Sequence, residues 1–99
     1  MPLRVRHTRA ARRDLRAIWN YISFDSETAA DGQLRRIAGL IQTLADAPLI
    51  ARARPDLADG LRSFPAGRHV IFFDFDSTTL RIVRVIDSAR QITPDMFAA

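Results

Sequence analysis

The chain has 99 residues, 47% hydrophobic and 26% charged, with a formal net charge of +4, which predicts one soluble domain over residues 1–99 built around a single two-layer core. It has no cysteine and its only imidazoles are His7 and His69, so disulfides and thiolate metal centres are excluded, and neither a metal site nor a cofactor is expected. No apolar run approaches the roughly 18 residues of a membrane span, and the first residues lack the apolar middle of a signal peptide, which predicts a cytoplasmic protein.

Every one of the fifteen basic residues is arginine. GC-rich codon usage accounts for this as well as function does. Even so, the planar guanidinium suits phosphate and carboxylate, and the positive balance favours a polyanion or an acidic partner.

In chain order, Leu3–His7 alternates Leu3, Val5 and His7 against Arg4 and Arg6, the pattern of a short strand. Thr8 is placed to cap a helix whose apolar stripe is Ala11, Leu15, Ile18, Trp19 and Ile22. Arg9, Arg12, Arg13 and Arg16 fall opposite that stripe as a basic ridge. Cations in the first helical turns oppose the macrodipole, and Arg9/Arg13 and Arg12/Arg16 are like-charge neighbours. The ridge is therefore either a solvated face or a binding surface for an anion or acidic partner. Ser23–Ser26 breaks the pattern, and a second helix from Glu27 to Ala45 carries Leu34, Ile37, Ile41 and Leu44 inward. Ala47-Pro48 ends it.

From Pro48 to Asp59 the sequence has no period and predicts an extended connection, followed by a short strand around Leu61–Phe64 and a turn at Pro65-Ala66-Gly67. Two β-prone runs close the fold, Arg68–Asp74 and Leu80–Ile86, joined as a hairpin across Asp76, Ser77 and Thr78. Strict alternation puts Leu80, Ile82, Arg84 and Ile86 on one face of the second run and Arg81, Val83, Val85 and Asp87 on the other. The expected architecture is α+β, in the order β-α-α-β-β-β, with the helical hairpin packed on one face of a small, mainly antiparallel sheet. The opposite face is then left without an intrachain cover except for the last dozen or so residues. A partner chain is expected to shield it.

A family resemblance emerges from motifs spread over nearly the whole chain. They are Ala11, Asp14-Leu15, Ile18-Trp19, Tyr21-Ile22, Leu44, Ala47-Pro48, Arg54-Pro55-Asp56-Leu57, Gly60-Leu61-Arg62-Ser63-Phe64-Pro65, Gly67-Arg68, Val70-Ile71-Phe72-Phe73 and Arg84-Val85-Ile86. In order and spacing these resemble the ParE branch of the RelE/ParE superfamily of type II toxins. The resemblance implies a toxin that poisons DNA gyrase. It also implies a ParD-like antitoxin that reaches operator DNA through a ribbon-helix-helix domain and lays an acidic C-terminal segment over the toxin. The RelE branch instead cuts mRNA in the ribosomal A site.

RNA cleavage needs a group to take the 2′-hydroxyl proton, one to protonate the leaving oxygen, and cations on the phosphate. Arginines are present, but the position often histidine in the family is Asp87, and no tyrosine or histidine follows Arg90. Arginine is not a general base at neutral pH, and His69 shares a face with Ile71 and Phe73, as a packing histidine would. No catalytic residue is assigned. The expected target-binding residues are Arg62, Arg68, Arg81, Arg84, Asp87 and Arg90, with Arg62 alternatively paired to Asp59 or Asp87 and Arg84 to Asp74. The expected antitoxin-binding residues are Arg9, Arg12, Arg13, Arg16, Trp19, Arg52, Arg54 and Phe72. A third reading is a harmless partner that serves only antitoxin autoregulation.

Overall fold

The computed structural model describes residues 1–98. Strand β1 (Arg4–His7) leads into helices α1 (Arg9–Ser23) and α2 (Glu27–Asp46). Strands β2 (Arg52–Ala53), β3 (Arg62–Ala66), β4 (His69–Phe75) and β5 (Thr79–Asp87) follow. The sheet runs β1-β5-β4-β3-β2, with β1 parallel to β5 and the remaining pairs antiparallel. This is the expected α+β arrangement, with one strand more than the sequence indicates: Arg52–Ala53 leaves the connection to pair with Arg62 and Ser63.

Both helices start where local chemistry directs. Thr8 Oγ1 accepts the Ala11 N–H at 3.0 Å and donates to the Val83 carbonyl at 2.7 Å, so the α1 cap also fastens the helix to β5. Ser26 caps α2 through the Ala29 N–H at 3.1 Å. The inner stripes of both helices, Ala11, Ile18, Ile37, Ile41 and Leu44, bury against Ile71, Phe73, Leu80, Ile82 and Val85 of the sheet.

Three expectations need correction. The β3–β4 turn is Gly67-Arg68, because Ala66 pairs with His69 and Pro65 with Val70 inside the strand. Gly67 has φ +65°, as a tight hairpin turn requires of its first residue. Proline is tolerated in β3 because β2 reaches only Arg62 and Ser63, leaving Pro65 on a free edge.

Alternation in β5 is also broken. Phe72 faces Arg84 and Phe73 faces Ile82, so Val83 is an extra residue in a β-bulge. Leu80, Ile82 and Val85 therefore face the helices, and Val83 and Ile86 face away. Strict alternation would have placed Val85 and Ile86 on the wrong sides.

The third correction concerns the sheet face away from the helices, which the chain covers itself. Leu57 and Leu61, from the loop before β3, and Ile92, Met96 and Phe97, from the tail, pack on Phe72 and Ile86. The Phe97 ring lies 4.8 Å from that of Phe72, tilted by 54°. Phe72 is fully buried, so its expected role as an open antitoxin contact does not hold in this structure. The loop is compact because the Arg54 carbonyl accepts the Leu57 and Ala58 amides while the Arg54 N–H reaches Leu61.

Candidate functional site

Helix α1 presents Arg9, Arg12, Arg13 and Arg16 to solvent. No ion pair among the described residues engages any of them, and the first turn carries no acid to offset them. Trp19, in contrast, is tied down: its indole N–H donates to Asp31 Oδ1 at 2.9 Å, which fixes α1 against α2. Arg52 is exposed on β2. Arg54 is half-buried, held by Asp56 at 3.2 Å and set 5.9 Å over the Phe72 ring.

The six residues expected to meet a target do not form one patch. Arg62 points to the Ala51 carbonyl at 2.8 Å and lies 5.9 Å over the Phe75 ring, so neither Asp59 nor Asp87 is its partner. Arg81 is clamped by Asp74 at 2.9 and 2.6 Å. Arg84 is held by Asp14, not by Asp74, through bonds of 2.7 and 3.0 Å, and also donates to the Met96 carbonyl. The Asp14 hydrogen bond raises the Arg84 pKa further above its ordinary value, against the effect of burial. Arg68, Asp87 and Arg90 do converge, around a cleft of about 250 Å³ between α1 and the β4–β5 end of the sheet. Arg68 reaches Asp87 at 3.3 Å. The Asp87 carboxyl is held below its usual range, first by the Ala89 N–H and then by the Arg68 charge.

His69 lies at the base of that cleft and is 5% exposed. Its Nδ1 accepts from Gln33 Nε2 at 2.9 Å, and the same amide donates to the Ala66 carbonyl. Burial, and to a smaller extent Arg68, pushes its pKa below the ordinary value, while Asp87 pulls the other way. It is the packing histidine that the strand pattern predicts.

A family model described as the ParE toxin of the type II toxin-antitoxin system, parDE, matches residues 5–92. The chain belongs to the ParE toxin family. No curated protein matches it significantly. Among solved structures, a chain of the chromosomal ParDE system from P. aeruginosa matches with a TM-score of 0.72 at 20% identity, covering 86% of this chain and 95% of that one. A chain of the RelBE2 toxin-antitoxin complex from Mycobacterium tuberculosis matches with a TM-score of 0.65 at 28% identity, covering 88% and 99% respectively. The first likeness speaks for the fold alone. The family model carries the assignment.

Several surface features of this ParE-family toxin are not evident in its sequence. Tyr21 of α1 is 74% exposed, and Phe24 just beyond the helix is 93% exposed. Leu49 and Ile50 stand out at 72% and 53% in a short 3-10 turn at Pro48–Ile50. The Asp14–Arg84 pair is likewise not among the pairings that the sequence suggests. A signal for it exists: the helical neighbours of Asp14, namely Ala10, Ala11, Ala17 and Ile18, offer no basic group, so its carboxylate faces away from the arginine ridge. Among the described residues no helix is long and apolar enough to cross a membrane, and no cluster of acidic, histidine or cysteine side chains is arranged to hold a metal.

Proposed function

We propose that this toxin acts in the cytoplasm by poisoning DNA gyrase through protein–protein contact, without chemistry of its own. A ParD-like antitoxin holds it in check with an acidic segment laid along the α1 ridge and the Arg52 edge. The observation that carries the reading is the state of the arginines a nuclease would need. Arg84, central on the sheet, is neutralised by Asp14; Arg81 is neutralised by Asp74; and of the two imidazoles, His69 has its Nδ1 occupied by Gln33 while His7 is set among Val5, Leu15 and Ile37 on the helix side of the sheet. Phosphate stabilisation requires cations aimed at the ligand, and proton transfer requires an accessible group with a suitable pKa. Arg81 and Arg84 do not offer the first, and buried His69 does not offer the second. Among the exposed arginines without an acid partner, the four of the α1 ridge and Arg52 give a surface suited to an acidic helix or strand.

The test is a supercoiling assay with purified gyrase, DNA and this protein. Inhibition with accumulation of cleaved DNA is expected. Unaltered supercoiling and no cleaved DNA would remove the gyrase reading.

The second reading, a ribosome-dependent mRNA endonuclease, draws on the 28% identity to the RelBE2 chain, which exceeds that to the ParDE chain. Cleaved mRNA in a ribosome-programmed translation assay would establish it in place of the first.

A further inference from the structure

The cleft at the C-terminal end of α1 has the composition of a protein-docking hot spot. Ile18, Ile22 and Val85 line it with apolar surface around His69, and its volume of about 250 Å³ admits one large side chain. Tyr21 stands on its lip and also lines the adjoining depression beside Phe24. Two aromatic side chains so exposed forgo the stabilisation that burial of each would contribute. Single exposed apolar residues are ordinary in a folded protein; adjoining aromatics beside an apolar cleft mark an interaction site.

The charge of the rim narrows the occupant. Asp14 is consumed by Arg84, and Asp87 faces Arg68 at 3.3 Å. Arg90 is exposed and takes part in no ion pair among the described residues, so it is the cation of the cleft lining without an acid of its own, while the adjoining depression adds Asp25. Aromatic and arginine side chains around a desolvated pocket are the composition that dominates binding energy at interfaces. The matching segment carries an apolar side chain for the cleft and a carboxylate for Arg90.

We propose that this cleft, with Tyr21 on its lip, Phe24 in the adjoining depression and Arg90 as its cation, is where the toxin grips gyrase, through a gyrase segment that presents an apolar side chain next to a carboxylate. The proposal rests on the gyrase reading above and adds the surface that executes it. Tyr21 lies five positions beyond Arg16, the nearest ridge residue, which at 1.5 Å per residue is about 7.5 Å. What separates the two surfaces is the helix face: Asp14, Ile18, Tyr21 and Ile22 of the cleft lie on the side of α1 opposite the ridge.

The experiment compares wild type, the double variant Tyr21→Ser/Phe24→Ser, Arg90→Glu and a control, Leu49→Ser/Ile50→Ser, in gyrase supercoiling and DNA-cleavage assays. Thermal melting of each variant checks the fold. At least tenfold more of the aromatic variant and of Arg90→Glu is expected for equal inhibition, with the control matching wild type. If the aromatic variant melts early, Arg90→Glu decides alone, because its side chain lies outside the core. Full inhibition by the folded variants overturns the proposal, including when they lose antitoxin binding or self-association instead. A wild-type protein with no effect on gyrase overturns both the proposal and the reading beneath it, whereas active wild type with equally active variants overturns the cleft alone.

Discussion

Asp14 and Arg84, 70 residues apart in the chain, form a two-pronged ion pair, Oδ2 to Nε at 2.7 Å and Oδ1 to Nη2 at 3.0 Å. Asp14 Oδ2 also accepts the Val85 N–H at 3.0 Å, so one carboxylate joins α1 to the bulged part of β5. Both side chains are largely enclosed, at 16% and 18% exposure. Removing one partner leaves the other charge poorly solvated. Asp14→Ala is expected to cost about 3 kcal/mol in urea denaturation. The double variant Asp14→Leu/Arg84→Met should recover most of that loss, and strict additivity of the two single losses would refute the coupling.

The tail is structural. Phe97 covers Phe72 at 4.8 Å, and the Met96 carbonyl receives Arg84. Phe97→Ala should destabilise the protein by about 2 kcal/mol. Removal of residues from Thr93 onward should bare Phe72 and Ile86, raising binding of a hydrophobic dye and light scattering. A truncated chain as stable and as soluble as the full one would show that the tail covers nothing of consequence.

Acid should weaken the fold through its histidines. In the native state His69 resists protonation because it is buried, whereas the unfolded chain takes up the proton near pH 6.5. Stability is therefore full above about pH 6.5 and falls as pH drops through the lowered native pKa. Protonation would also set an imidazole N–H against the Gln33 amide donor. His7 contributes with the same sign, its pKa lowered by burial and then by the Arg12 charge. His69→Asn should flatten the fall in urea midpoint between about pH 8 and pH 5, leaving the His7 share. An unchanged slope would count against it.

Charge reversal on the ridge should separate folding from binding. Replacing Arg9, Arg12 and Arg13 by glutamate places acids at the positive end of α1, which should stabilise the helix by about 0.5 kcal/mol per site. The same change should slow association with the cognate antitoxin by about tenfold and reduce its salt dependence. A triple variant that is more stable and yet poorly bound would identify the ridge as kept for a partner. If its affinity is unchanged, the antitoxin binds elsewhere.

Much of the fold was legible because it depends on neighbours a few positions away. Thr8 and Ser26 mark helix starts through their own hydroxyls, the stripes of α1 and α2 follow a short period, and the runs around Val70–Phe75 and Leu80–Ile86 have a strand composition whichever partner they find. The short Arg52–Ala53 pairing was not legible, since two residues carry no period.

The candidate site was legible in its residue types and not in its arrangement. Arginines at 62, 68, 81, 84 and 90 stand out in the sequence as a set, yet three of them spend their charge or donors inside the molecule. Their partners are selected by the bulge at Val83, by a helix some 70 positions earlier and by a loop carbonyl. Tyr21 offers a similar lesson: it stands one turn from Ile18 and next to Ile22 in sequence, yet its ring stays in water.

Sequence alone therefore determined the two helices, the longer strands, their order and the family resemblance, because backbone preferences, caps and apolar periods act over one or two turns of chain. Tertiary structure alone decided which arginines remain free, that Phe72 is sealed beneath Phe97, and which aromatics face solvent. Ion pairing and burial depend on distance in space, and the side chains that satisfy Arg84 and cover Phe72 come from parts of the chain that no local pattern connects.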